Sequence, residues 1–281
     1  MFDVYFSPQM VGPAQAISPS AHKPALVVES WLKLIPDLRV IAPQPVDLDD
    51  IALAHDRDWA LDVLIGRADN GFGNRSPELA ASLKHTNGAM LAAALAAKRH
   101  GIAIAPCSGF HHASWAMAAD FCTFNGLMIT ARVLLEGGSA SRIGILDADM
   151  HYGDGTDEII AVLGESRVQH YSVGEHFRHP EDAARFLAEL PELVDSFAGC
   201  DVLLYQAGAD PHIDDPLGGW LTTEDLFRRD YAVFQQCRRH GIPVAWNLAG
   251  GYQKPLRKVL DIHDNTLRAA KMVWSRTTAQ S

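Results

Sequence analysis

Seven short apolar, β-branched runs punctuate the chain: Val4-Tyr5-Phe6, Arg39 to Ala42, Ile102 to Ala105, Arg142 to Leu146, Val168 to Ser172, Val202 to Gln206 and Pro243 to Leu248. Most lack alternation of apolar and polar residues, the pattern of strands covered on both faces. Helix-like stretches separate them: Pro24 to Leu34, Ser76 to His100, Asn125 to Glu136, Thr156 to Leu163, Glu181 to Phe197, Thr223 to His240 and Leu256 to Thr277. Strands alternating with helices predict a parallel sheet with crossover connections, an α/β fold. No repeat or low-complexity linker interrupts the pattern, so residues 1–281 read as one domain.

Composition narrows the function classes. The 281 residues are 48% hydrophobic, enough for one sizeable core. The net charge of −10 argues against nucleic-acid binding, which needs lysine and arginine to neutralise phosphates. It leans weakly toward a cationic substrate. Cys107, Cys122, Cys200 and Cys237 form no CxxC pair and read as isolated thiols in a reducing compartment. The N-terminus lacks a basic segment followed by an apolar stretch, and no apolar segment is long enough to span a bilayer. These features predict a cytoplasmic protein with no membrane partner. They say nothing of oligomeric state.

In parallel sheets, functional groups gather beyond the carboxyl ends of strands. Four such ends here carry reactive side chains: Pro106 to His112, Asp147 to Thr156, Gln206 to Asp210, and Ala249 to Tyr252. If the chain stays extended through Asp147, Asp149 and His151, their side chains share one side. Carboxylate and imidazole suit a borderline divalent ion, and catalytic zinc takes three protein ligands plus an open position. Asp210, at another strand end, is the natural third ligand. Gly153 and Gly155 allow a tight turn, and Thr156 is the expected helix N-cap. Taken alone, Asp-x-Asp-x-His is as readily a capped turn or a salt-bridged loop.

Adjacent His111 and His112 have a bland reading as polar residues at a helix start. Their functional reading is a base for an activated water and an acid or electrostatic stabiliser for the leaving amine. Each such histidine needs a carboxylate on its far nitrogen, and Asp147 and Asp154 are the two to spare. Tyr252, after a glycine pair, either packs on the surface or donates to a developing oxyanion.

At these residues the chain resembles the histone deacetylase superfamily, within the arginase–deacetylase fold. The matching pieces are Gly109 to Ala113, Phe121 to Asn125, Asp147 to Thr156, Gly174 to Phe177, Ala207 to Asp210 and Gly250 to Tyr252. The joint match over roughly residues 70 to 270 is specific, where any one piece would be weak. The resemblance implies a three-layer α/β/α fold with a mostly parallel sheet of about eight strands. It implies Zn2+ on Asp149, His151 and Asp210, with Fe2+ an alternative occupant, and K+ near Asp147. It also implies His111–Asp147 and His112–Asp154 dyads, with His112 the general base. Tyr252 would polarise the acyl carbonyl, and Phe121, Phe177 and Gly250 would line a substrate tunnel. The chain departs from the family pattern in three places. Tyr152 stands where many members have a second histidine, Ala249 shortens the glycine run by one, and Ser18 to Pro24 only loosely echoes the usual N-terminal segment. Asn70 to Pro77 is also family-like and reads as a rim loop.

The expected activity is hydrolysis of an acetyl or other acyl group from an amine, either acetyl-lysine or an acetylpolyamine. A chain this short favours a small-molecule or broad substrate range. Two rivals are a binuclear manganese ureohydrolase on the same fold and a non-catalytic acyl-amine binding protein.

Overall fold

A computed structural model describes residues 2–13 and 19–274. Seven strands form one parallel sheet: β1 (Asp3–Tyr5), β2 (Arg39–Ile41), β3 (Ile102–Ile104), β4 (Ile143–Asp147), β5 (Val168–Ser172), β6 (Val202–Gln206) and β7 (Val244–Asn247). Their order is β2-β1-β3-β7-β6-β4-β5. All seven apolar runs are strands, so the count is seven among the described residues rather than about eight. The helices are α1 (Lys23–Leu34), α2 (Leu48–Ile51), α3 (Arg57–Leu64), α4 (Pro77–His100), α5 (Gly126–Glu136), α6 (Asp154–Leu163), α7 (Val173–His176), α8 (Ala183–Asp195), α9 (Thr223–His240) and α10 (Arg257–Trp274). The expected extension of the last helix through residue 277 lies outside the described residues.

The strands divide their side chains between two cores. Leu203, Tyr205, Val244 and Trp246 face α1, α8, α9 and α10, where Trp31 and Phe234 pack edge-on or tilted against Trp246. Val202, Leu204 and Ala245 face the other layer, which includes α3, α4, α5 and α6. Both faces of the sheet are therefore dry, which explains the unbroken apolar runs. Alanines 89, 93, 96 and 97 of α4 are fully buried, and their small side chains let this long helix approach β3 and β7 closely. Ser76 caps α4, its Oγ accepting from the Leu79 amide at 3.1 Å.

One local expectation needs correction. Thr156 does not cap α6. The helix starts at Asp154 after Gly153, and Thr156 is buried within it, accepting a hydrogen bond from Asn125 Nδ2. Helix α3 had no counterpart in the apolar pattern. Only Ala60 and Val63 of its eight residues are buried, too narrow a stripe to register as periodicity.

Candidate active site

The order of the sheet puts β3, β7, β6 and β4 side by side. The four strand-end clusters therefore meet at one edge, although up to 146 residues separate them in the chain from Pro106 to Tyr252. Phe110, Asp120, Phe121 and Ala249 all sit at positive φ in the loops around this edge. Strained backbone of this kind persists where surrounding structure fixes it, and it clusters at functional sites.

Asp149, His151 and Asp210 each offer a ligand atom, and these atoms lie within 4.8 Å of one another. His151 Nδ1 is 3.2 Å from Asp149 Oδ1 and 3.2 Å from Asp210 Oδ2. Both carboxylates are buried. Burial and the Asp149 charge raise the Asp210 carboxyl to about 7. Hydrogen bonds to Asp149 and Asp210 hold His151 protonated up to about 11. Two buried carboxylates thus converge on one imidazole nitrogen. Asp210 Oδ2 is buried with the His151 ring as its cationic neighbour, and one nitrogen with two carboxylate oxygens is a donor set that fits zinc. The backbone makes room for this. A Cβ on Gly250 would lie 2.1 Å from Asp210 Oδ2, and the Gly250 amide donates to Asp149 Oδ2 at 2.8 Å.

Both histidines have their carboxylates. His111 Nδ1 donates to Asp147 Oδ2 at 2.7 Å, and His112 Nδ1 to Asp154 Oδ1 at 2.7 Å. Gln206 Nε2 and the Asp149 amide both donate to Asp147 Oδ1, fixing that carboxylate. Burial disfavours a charged His111, but Asp147 and then Asp149 outweigh it and raise its pKa to about 9. His112 moves the other way. Burial and the charge of His111, whose ring centroid is 4.0 Å away, lower its pKa despite the bond to Asp154. One ring is set up to hold a proton and the other to accept one.

A cavity of about 290 Å³ opens onto these groups, lined by Asp149, His151, both histidines, Phe121, Tyr252, Gly250 and Leu217 among others. Tyr252 stays protonated because burial, Asp210 and Asp149 all raise its pKa. Its ring centroid is 6.0 Å from that of Phe121. The rim loop backs Phe121. The Phe121 amide donates to Gly71 O at 2.8 Å, and the Phe72 ring packs beside it.

Phe177 is not a tunnel wall. It is 2% exposed, stacked on Trp220 and tilted against Phe186 in the core. Leu217 lines the cavity instead. Tyr152 does not stand in for a histidine at the site. Its hydroxyl donates to Asp157 Oδ2 at 2.6 Å, and the same carboxylate accepts from His170. In the N-terminal segment, Ser18 lies outside the described residues, Ser20 lines the cavity and Pro19 and His22 line its outer mouth.

Lys23 carries no sequence signal beyond being a lone lysine at a helix start. It is fully buried, and its Nζ donates to Ala249 O at 2.6 Å and Gly250 O at 3.3 Å. It fixes the turn that aims Tyr252, while Asp215 Oδ2 accepts from the Tyr252 amide.

The chain belongs to the histone deacetylase family. The model of the histone deacetylase domain matches residues 20–185. An uncharacterized protein of Picosynechococcus sp. is 32% identical over 212 residues, covering 69% of this chain and 70% of the relative. Histone deacetylase 2 of Arabidopsis thaliana is 28% identical over 63% of this chain and 51% of its own length. Acetylpolyamine amidohydrolase 1 of Pseudomonas aeruginosa is 26% identical over 50% of this chain and 48% of its own length. The chain thus spans about half the length of these two named relatives. Among solved structures, an acetylpolyamine aminohydrolase from Burkholderia pseudomallei superposes with a TM-score of 0.75 at 18% identity, covering 97% of this chain and 99% of that one. This likeness shows the shared three-layer α/β fold. Among the described residues, no helix is long and apolar enough to cross a membrane.

Proposed function

We propose that this family member is a metal-dependent amidohydrolase that removes an acetyl or other short acyl group from an amine, within one catalytic domain. The observation that carries the reading is the convergence of Asp149, His151 and Asp210 beside two histidine–carboxylate dyads at the floor of one cavity. A divalent ion held there, Zn2+ by the donor set and Fe2+ as its alternative, would acidify a water and polarise the acyl carbonyl.

His112, neutral and bonded to Asp154, takes the proton of the attacking water. Tyr252, kept protonated by its buried acidic surroundings, donates to the oxyanion of the tetrahedral intermediate. His111, kept protonated by Asp147, supplies electrostatic stabilisation and a proton for the departing amine. Phe121, Leu217 and Tyr252 flank the path to these groups and exclude water from the acyl carbonyl. A K+ ion near Asp147 belongs to the same reading and is tested by activation in potassium over sodium buffer.

The binuclear manganese alternative needs a second complete ligand set, and the described residues hold a single group of three candidate ligands. The experiment is turnover of an acetyl-lysine peptide, acetylputrescine and acetylspermidine before and after chelation. Chelator-sensitive release of acetate supports the proposal. An inert protein that binds these amides would instead be a binding module.

A further inference from the structure

We propose that Arg229, on α9, is a positioning residue of the metal centre, fixing the separation of the two strand ends that carry Asp149 and Asp210. The inference rests on reading those residues with His151 as metal ligands. Strands β4 and β6 pair in register as far as Asp147 against Gln206, and the Ala148 amide still donates to Gln206 O at 3.0 Å. Beyond that point the regular strand pairing ends, and each chain carries a carboxylate into the site while staying close to the other. The carbonyls of Ala148 and Gly208 lie at this junction. Buried carbonyls need a donor, and one nitrogen serves both: Arg229 Nη1 donates to Ala148 O at 2.9 Å and to Gly208 O at 2.9 Å.

The guanidinium is itself held. Arg229 Nε donates to Asp230 Oδ1 at 2.8 Å, and Asp230 also accepts from Tyr205 of β6 and Thr266 of α10. Arg229, Asp230, Tyr205 and Thr266 are all buried. A buried cation is costly unless it is paired and its donors are used. Here one carboxylate pairs it and the Nη1 donors go to the two ligand-bearing chains, while Nη2 is buried without a hydrogen-bond partner. Ala148 adjoins Asp149, and Gly208 is two residues before Asp210. The fit between the chains is tight, since a Cβ on Gly208 would lie 2.8 Å from Asp149 Cα. Metal–ligand distances tolerate only about ±0.2 Å, so one guanidinium nitrogen, held by Asp230 through Nε and bridging the two chains, fixes what the metal is most sensitive to.

The test is Arg229→Lys, which keeps the charge on a flexible stem and loses the planar fork. Metal-stripped wild type and variant are compared by thermal midpoint, then titrated with Zn2+ against a chromogenic chelator. Cobalt-loaded forms are compared by visible absorption. The expected result is a metal-free variant that melts close to wild type but binds Zn2+ about 10–100-fold more weakly. Its cobalt spectrum should be altered, and kcat should fall while KM holds. Arg132→Lys, which loosens the Arg132–Glu165 pair away from the site, should leave Zn2+ affinity unchanged. Equal Zn2+ affinity and an unaltered cobalt spectrum in Arg229→Lys would overturn the inference alone. A wild type that takes up no metal would overturn it together with the ligand assignment. If Arg229→Lys does not fold, Asp230→Asn repeats the test with the arginine kept. Failure of both to fold without metal would make Arg229 a general stability residue and overturn its positioning role.

Discussion

The two histidine–carboxylate dyads share one bond length and differ in nearly everything else. Asp147 is 0% exposed and braced by Gln206, whereas the side chain of Asp154 is 62% exposed at the start of α6. His111 lies among Asp147, Asp149 and Asp210 and is pushed up to about 9, while His112 sits beside that charge and is pushed down. Adjacent residues of one type therefore acquire opposite protonation states. The bond to a carboxylate does not decide which; the burial of that carboxylate and the neighbouring charges do.

This contrast can be broken by mutation. His112→Ala removes the base and should lower kcat by about 10²–10⁴ with metal content unchanged. Near-normal turnover would reverse the assignment of base and acid. Tyr252→Phe should cost about 10²–10³ in kcat while fold and metal are kept. Asp147→Asn should be more damaging than Asp154→Asn, because it removes the buried charge that holds His111 protonated. Equal losses would mean that exposure of the carboxylate is irrelevant.

Titration sharpens the same contrast. His112 must be unprotonated to act, so activity should fall on the acid side as pH drops through its lowered pKa. Asp154→Asn removes a raising influence, so that acid limb should move to lower pH. His111 should titrate near 9 in the metal-free protein and at lower pH once a divalent ion offsets the charges of Asp149 and Asp210. Imidazole NMR in both states reads this directly, and a His111 pKa indifferent to metal would break the electrostatic account. The smallest effect is expected at Ala249, whose φ of +49° is a left-handed conformation that glycine adopts freely. Ala249→Gly should stabilise the protein by about 1 kcal/mol in chemical denaturation, with little change in turnover.

Much of this was legible in the sequence for physical reasons. Strands buried on both faces leave unbroken apolar runs, and parallel topology sends their carboxyl ends to one edge. Asp149, His151, Asp210, the histidine pair and Tyr252 could therefore be grouped before any coordinates. What escaped were contacts made by the reach of single side chains. Phe177 follows a family-like motif, yet its loop turns the ring into a core pocket beside Trp220. Lys23 and Arg229 hide in amphipathic helices, where a charged residue ordinarily reads as solvent-facing. Their burial depends on carbonyls distant in the chain, those of Ala249 and Gly250 for Lys23 and of Ala148 and Gly208 for Arg229. Thr156 looked like a cap because sequence could not reveal that Asn125 had claimed its hydroxyl.

The central claim is that Asp149, His151 and Asp210 hold one divalent ion on which amide hydrolysis depends. Metal content per chain, measured with deacetylase turnover in wild type and Asp210→Asn, tests it most directly. The account predicts one zinc or iron per wild-type chain, activity that disappears with chelation and returns with metal, and loss of both metal and turnover in Asp210→Asn. Two manganese ions per chain, or undiminished turnover in the metal-depleted variant, would contradict it.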